Sequence, residues 1–130
     1  MTGIDACLER IMCIPGALGV TLVDGASGLA IAASGTHELV DEHEDAAVIT
    51  DVVQNLLACP ALAAERGGGD IFEIIVCGTG GFHLLNLVNG DFEGRLFVHV
   101  LFDDDTGNLA IARFRLRTIL GDLTGDGRGN

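Results

Sequence analysis

The amino-acid sequence predicts one α+β domain with three helices and five strands, in the order helix, strand, strand, helix, strand, strand, strand, helix. Three observations support this prediction. Apolar residues make up 48% of a 130-residue chain, which is enough to bury a real core. Short joints rich in Gly, Asn and Asp separate the last three strands, so neighbouring strands are expected to be antiparallel. Leu96–Phe102 is nearly apolar on both faces, which predicts a central strand covered above and below.

The first third of the chain predicts a short helix followed by a β-hairpin. Apolar residues recur at helical spacing over residues 3–14, and Pro15 with Gly16 ends this helix. Residues 17–23 are apolar apart from Thr21 and rich in β-branched side chains, as expected of a strand. Residues 24–28 supply the turn of the hairpin.

The second helix is predicted over residues 41–57 and begins in an acidic run at residues 38–45. Acidic side chains suit the positive end of a helix dipole. The apolar side chains of this helix are Ala46, Val48, Ile49, Val52, Val53, Leu56 and Leu57. They cover about half of the helix, whereas a helix resting on one sheet needs a stripe of only ~100°. The surplus predicts a second covering surface, such as another subunit.

The remaining chain predicts a glycine-containing connection, three strands and a last helix. The strands are expected at residues 70–77, 82–88 and 95–102, after a flexible connection at residues 61–69. The last helix is expected at residues 108–120, with a buried stripe formed by Leu109, Ala112, Leu116, Ile119 and Leu123. We therefore expect a single domain over residues 1–120 and a flexible C-terminal tail over residues 121–130.

The charge of the chain excludes several classes of function. Nineteen acidic and seven basic residues give a net charge of −12, which argues against duplex nucleic acid or an anionic membrane as the partner. Every basic residue is Arg, so neither a Walker-type phosphate loop nor a Schiff-base enzyme is available. No apolar run approaches the ~20 residues that a membrane helix needs. The N-terminus lacks the features of a signal peptide, which predicts a cytoplasmic protein.

The cysteines and histidines, which could act in catalysis or bind a metal ion, are better explained as structural residues. The four cysteines contain no CxxC pair and are expected to be free, buried thiols. His83 and His99 can face each other on neighbouring strands, and an enzymatic or metal-binding interpretation survives only there. No carboxylate or cysteine is placed to complete a metal shell, so core or edge histidines are favoured. We therefore assign no catalytic, cofactor-binding or metal-binding residues and expect no enzyme activity.

Four stretches of the sequence carry a resemblance to a known family. They are Pro15–Asp24 (PGALGVTLVD), Gly28–Gly35 (GLAIAASG), Gly81–Leu85 (GFHLL) and Asn108–Leu116 (NLAIARFRL). The first two resemble the Roadblock family, the dynein light-chain-related regulators, in which a strand ending in Asp and a turn precede Gly-Leu-x-Ile-Ala-x-Ser-Gly. The last two are similar to the later strand and last helix of bacterial members. The resemblance covers about residues 3–120.

The resemblance implies a profilin-like α/β sandwich with a five-stranded antiparallel sheet and helices on both faces. It also implies a homodimer, in which the third strand extends the sheet across the two-fold axis and the second helices pack together. On that arrangement we expect the dimer contacts to be Val48, Val52, Leu56, Ile71, Phe72 and Ile74.

The resemblance also implies a function. Bacterial members commonly regulate a Ras-like small GTPase, and some in actinobacteria are encoded with a sensor-kinase-like protein, so both are expected partner classes. The expected partner-binding residues are the acidic Asp41, Glu42, Glu44 and Asp45. A dimeric scaffold for a signalling or motility complex, without effect on GTP turnover, remains the alternative. The sequence does not separate the two.

Overall fold

A computed structural model describes residues 3–35, 42–62, 71–88 and 96–126, with the side chains of residues 42 and 124–126 outside the description. The helices are α1 (Ile4–Met12), α2 (Glu42–Ala58) and α3 (Leu109–Asp126), and Pro60–Leu62 forms one turn of 3₁₀ helix. The strands are β1 (Ala17–Asp24), β2 (Leu29–Gly35), β3 (Glu73–Cys77), β4 (Gly81–Val88) and β5 (Leu96–Asp103). The predicted order of helices and strands is confirmed.

The five strands form one open antiparallel sheet in the order β2-β1-β5-β4-β3. The predicted α+β fold class is therefore confirmed, and β5 is the central strand. Side chains alternate between the two faces of each strand. On β5, Val98, Val100 and Phe102 point to the face covered by α1 and α3, and Phe97 points to the face covered by α2.

Two apolar cores lie on opposite faces of the sheet. The larger core packs α1 and α3 against the sheet and contains a stacked pair of rings, Phe82 and Phe102, with centroids 4.8 Å apart. The smaller core packs α2 against Val23, Leu85 and Phe97. Burying a large apolar side chain stabilises a protein by roughly 1.5–3 kcal/mol, so both layers contribute substantially to the fold.

The helix α3 continues to Asp126, six residues beyond the end predicted at Leu120. Gly121 and Gly125 are weak helix formers, which is why the sequence favoured a tail from residue 121. Two contacts oppose this weakness: Leu123 packs against the larger core, and Asp122 accepts a hydrogen bond of 3.0 Å from Arg10 of α1. The tail predicted at residues 127–130 lies outside the described residues. No helix in the described ranges is long and apolar enough to span a membrane.

The four cysteines are free, as expected, but they are not all buried. Cys7 lies in the larger core, and burial raises the pKa of its thiol. Cys13 and Cys77 are exposed, so the prediction of buried thiols is wrong for these two. The physical reason is position, because Cys13 caps the end of α1 and Cys77 ends a strand at the edge of the sheet.

A buried carboxylate attaches the edge strand β3 to α3. Oε1 of Glu73 accepts hydrogen bonds from Nε and Nη2 of Arg113, at 2.9 and 2.6 Å, and the Glu73 side chain is only 6% exposed. Nη2 of Arg117 lies 3.9 Å from the same oxygen. Because β3 has β4 as its single neighbour in the sheet formed by the described residues, this ion pair helps to fix its position.

Candidate functional site

The helix α2 carries an apolar stripe that faces away from the sheet. Ala46, Thr50 and Val53 are buried on its inner side. Val48 and Val52, on the outer side, are 57% and 49% exposed, and Leu56 is half-buried. This stripe is the surplus apolar arc that the sequence indicated, and it has no covering surface within the described part of the chain.

The strand β3 is an edge strand with exposed apolar side chains. Ile75 and Val76 are exposed, and so is Phe72 just before the strand, with the guanidinium of Arg117 5.4 Å from its ring centroid. Val76 stands opposite His83 in the β3–β4 register and therefore lies on the face of the sheet that α2 covers. Ile75 stands opposite Leu84 of the larger core and therefore lies on the other face of the sheet. The exposed side chains on the outer side of α2 and along the edge strand, Val48, Val52, Phe72, Ile75 and Val76, are together called the α2–β3 surface below.

The residues expected at a dimer interface fall into two groups. Val48, Val52 and Phe72 are exposed, whereas Leu56, Ile71 and Ile74 are half-buried. Ile74 packs against the smaller core within its own chain. Ile75 and Val76 were absent from the sequence-based set because an unbroken apolar run, Ile74–Val76, does not reveal which of its residues face solvent at a sheet edge.

The acidic residues expected to bind a partner lie around the N-terminal end of α2. Asp41 lies outside the described residues, and Glu42 is the first residue of the helix. Glu44 is exposed, while Asp45 is partly buried and lines a cavity between α2 and the sheet. Asp45 therefore differs from exposed Glu44, because its side chain lines this cavity instead of lying on the solvent-facing side of the helix.

That cavity, called the histidine cavity below, has a volume of about 180 Å³ and is walled by His83, His99, Thr21 and Asp45. His99 stands opposite Leu85, and His83 stands opposite Leu101, so the two histidines are diagonal neighbours on β4 and β5. Their rings stack with centroids 5.1 Å apart, and Nδ1 of His83 lies 2.8 Å from Nε2 of His99. The sequence-based expectation that these two side chains face each other is confirmed.

Burial favours the uncharged form of both histidines. It lowers the pKa of His99 to about 4, with the neighbouring His83 as the second cause. Burial also lowers the pKa of His83, although the carboxylate of Asp45 opposes this effect. A neutral imidazole has one N–H donor and one acceptor nitrogen. Because the hydrogen bond between the rings uses one of each, the pair presents one further donor and one further acceptor.

The cavity offers hydrogen-bonding groups rather than a metal shell. Among the described residues, no group of three or more His, Cys, Asp or Glu side chains could hold a metal ion.

Thr21 was not singled out as a site residue from the sequence, yet it faces His99 directly in the β1–β5 register. The signal that could have found it is its position as the polar residue within the apolar strand β1.

We expect the histidine pair to make stability fall as the pH is lowered. Folded His99 stays neutral down to about pH 4, whereas an unfolded histidine takes up a proton below about pH 6.5. The unfolded chain therefore binds more protons in this window, and stability is lost as the pH falls through it. Between pH 7 and pH 5 this effect is about 1–2 kcal/mol, and His99→Gln should remove most of it. Urea unfolding at both pH values measures the difference, and equal losses in the two proteins would contradict the assignment.

The fold can now be compared with known proteins. The sequence matches no protein-family model and no curated protein. Solved structures do match. Myxococcus xanthus MglB has a TM-score of 0.80 at 23% identity, covering 98% of this chain and 96% of that one. A Roadblock/LC7 domain from Streptomyces avermitilis has a TM-score of 0.73 at 14% identity, covering 92% and 93%. An MglB with a tetrameric arrangement has a TM-score of 0.72 at 16% identity, covering 91% and 82%.

These similarities extend over nearly the whole length of both chains, and they agree with the observed order of helices and strands. The protein therefore has a Roadblock-family fold of the bacterial MglB type.

Proposed function

We propose that the protein is a non-catalytic homodimeric regulator that binds a Ras-like small GTPase and modulates its nucleotide cycle. The observation that carries this proposal is the α2–β3 surface, which consists of exposed apolar side chains on the outer side of α2 and on the edge strand β3 and which no described residue covers. The fold supports a regulatory role, because bacterial proteins of the Roadblock family, which this sequence resembles, commonly regulate such GTPases. The nucleotide and Mg²⁺ of the GTPase would supply the charges that phosphoryl transfer requires.

The α2–β3 surface supports the homodimer in two ways. An exposed edge strand presents unpaired backbone groups that a second strand can pair with, and a symmetric dimer lets β3 pair with its own copy. Packing α2 against α2 of the second copy would cover Val48 and Val52 at the same time. One of the similar structures is an MglB in a tetrameric arrangement, so copies of that protein assemble with one another.

Charge supports the choice of partner. Glu44 and Asp45 lie in the first turn of α2 and belong to a chain with a net charge of −12. A basic patch on a GTPase would be attracted to this end of the helix, which raises the association rate at low salt. Asp41 and Glu42 would add to the same field. The cytoplasm, where small GTPases act, is the compartment that this proposal requires.

A dimeric scaffold of a signalling or motility complex is the second candidate function. It would use the same dimer and the same acidic helix end, and a sensor-kinase-like protein is a partner of this kind. The two functions differ in one respect: a regulator changes the rate of nucleotide exchange or hydrolysis, whereas a scaffold binds and leaves both rates unchanged.

We expect Val52→Asp to weaken the dimer more than it weakens the monomer fold. Val52 is half-exposed in the single chain, but a carboxylate there would be buried without a partner in the dimer. A penalty of about 3 kcal/mol corresponds to an increase of roughly 100-fold in the dimer Kd. Sedimentation velocity over a concentration series measures this Kd.

The control for this experiment is Ala110→Asp, which adds the same charge at an exposed position of α3, on the other face of the sheet. It should leave the dimer intact. A purely monomeric wild-type protein at micromolar concentration would contradict the homodimer. A Val52→Asp protein that unfolds outright while remaining dimeric below the transition would show that the wrong face was assigned.

We also expect neutralisation of the acidic helix end to weaken GTPase binding. The variant changes Asp41 and Asp45 to Asn and Glu42 and Glu44 to Gln. Its affinity for a Ras-like small GTPase of the same organism should fall by about tenfold at low salt, and the salt dependence of this affinity should flatten, because exposed charges are screened at moderate ionic strength. Calorimetric titration at two salt concentrations measures both effects.

A matched control removes four exposed acidic side chains elsewhere, namely those of Asp5, Glu9, Asp104 and Asp105. It changes the net charge by the same amount. An unchanged affinity and salt slope in the first variant, or equal effects in both, would remove any specific role of the acidic helix end in recognition.

A further inference from the structure

We propose that the histidine cavity is a receptor for one positively charged side chain of a partner protein. The proposal deepens the proposed function and rests on it, because the GTPase is the partner that would supply this side chain. It assigns to the cavity a ligand class, a monovalent organic cation of the ammonium or guanidinium type.

The size of the cavity limits what it can hold. Its volume of about 180 Å³ is that of several water molecules, each of which takes about 30 Å³ in the liquid. Pockets for drug-sized ligands and cofactors range from about 300 to 1,000 Å³. The cavity is therefore too small for a nucleotide and suits a single side chain. Small residues, among them Gly19, Ala33 and Ala46, leave this space between the sheet and α2.

The groups that wall the cavity select a cation. Asp45 contributes a carboxylate, which accepts hydrogen bonds when ionised. The Thr21 hydroxyl makes no hydrogen bond within the described part of the chain, and the neutral histidine pair retains one acceptor nitrogen in addition to one N–H donor. These three acceptors match the several N–H donors of an ammonium or guanidinium group.

Other occupants are disfavoured by the same groups. An anion would be repelled by Asp45 and by the net charge of −12. An apolar side chain would cut off the Thr21 hydroxyl and the free imidazole nitrogen from water, which costs about 1–3 kcal/mol for each unsatisfied group. A neutral histidine pair, by contrast, does not repel a cation.

The test uses the isolated protein and a small probe, so it does not depend on the GTPase. Ethylguanidinium chloride is titrated at pH 7.5, and the ring signals of His83 and His99 are followed by ¹H–¹³C NMR. Ethylurea, a neutral molecule of similar shape, is titrated at the same ionic strength. We expect saturable shifts of both histidines with ethylguanidinium and none with ethylurea.

Two variants locate the site. Asp45→Asn should weaken probe binding at least fivefold, while Asp51→Asn, an exposed position on the same helix, removes an equal charge and should change it less than twofold. Thr21→Val, which removes the hydroxyl and keeps the shape, provides a second variant if Asp45→Asn perturbs the fold. Absence of saturable shifts, or equal weakening by Asp45→Asn and Asp51→Asn, would overturn the proposal.

The outcome is separable from that of the proposed function. If the probe binds in the cavity but no Ras-like GTPase binds the protein, the receptor stands and its assigned partner is wrong. If the GTPase binds the wild-type protein and the single variant Asp45→Asn with equal affinity, the regulator stands and the receptor proposal fails.

Discussion

The structure depends on the burial of β5 on both faces. A strand that presents Val98, Val100 and Phe102 to one side and Phe97 to the other must lie between two layers, because exposing either row would forfeit several kilocalories per mole of apolar burial. Placing β5 in the centre requires helices on both faces of the sheet. It also leaves β2 and β3 as the two edges. The two layers thus follow from the composition of a single strand.

The burial of β5 on both faces also produces the α2–β3 surface and the histidine cavity. With β5 paired to β1 and β4, the strand β3 lies at an edge of the sheet, and among the described residues α2 is the helix that covers its face. One helix covers only part of a five-stranded sheet. Its apolar outer stripe and the open edge of β3 form the α2–β3 surface. The space left near its N-terminal end is the histidine cavity, where half-buried His99 of β5 stacks on half-buried His83.

The sequence predicted the elements better than the surfaces. Hydrophobic periodicity and glycine-rich turns predicted the three α-helices and the five strands, because both signals are local. The residues that meet in space were harder to predict. The pairing of Glu73 with Arg113 joins positions 40 apart, and only the packing of α3 over β3 brings them together. The end of α3 was predicted too early, because the helix propensity of Gly121 is visible in the sequence and the contact of Asp122 with Arg10 is not. The paired histidines were found because β4 and β5 are consecutive strands.

The central claim is that the protein acts on the nucleotide cycle of another protein. The most direct test measures single-turnover GTP hydrolysis and nucleotide exchange by a Ras-like small GTPase of the same organism, with and without this protein. A parallel reaction contains this protein alone with GTP and Mg²⁺. The account predicts that the protein alone neither binds nor hydrolyses GTP and that its addition changes one of the two rates of the GTPase. Turnover by the protein alone, or a bound complex in which neither rate changes, would contradict it.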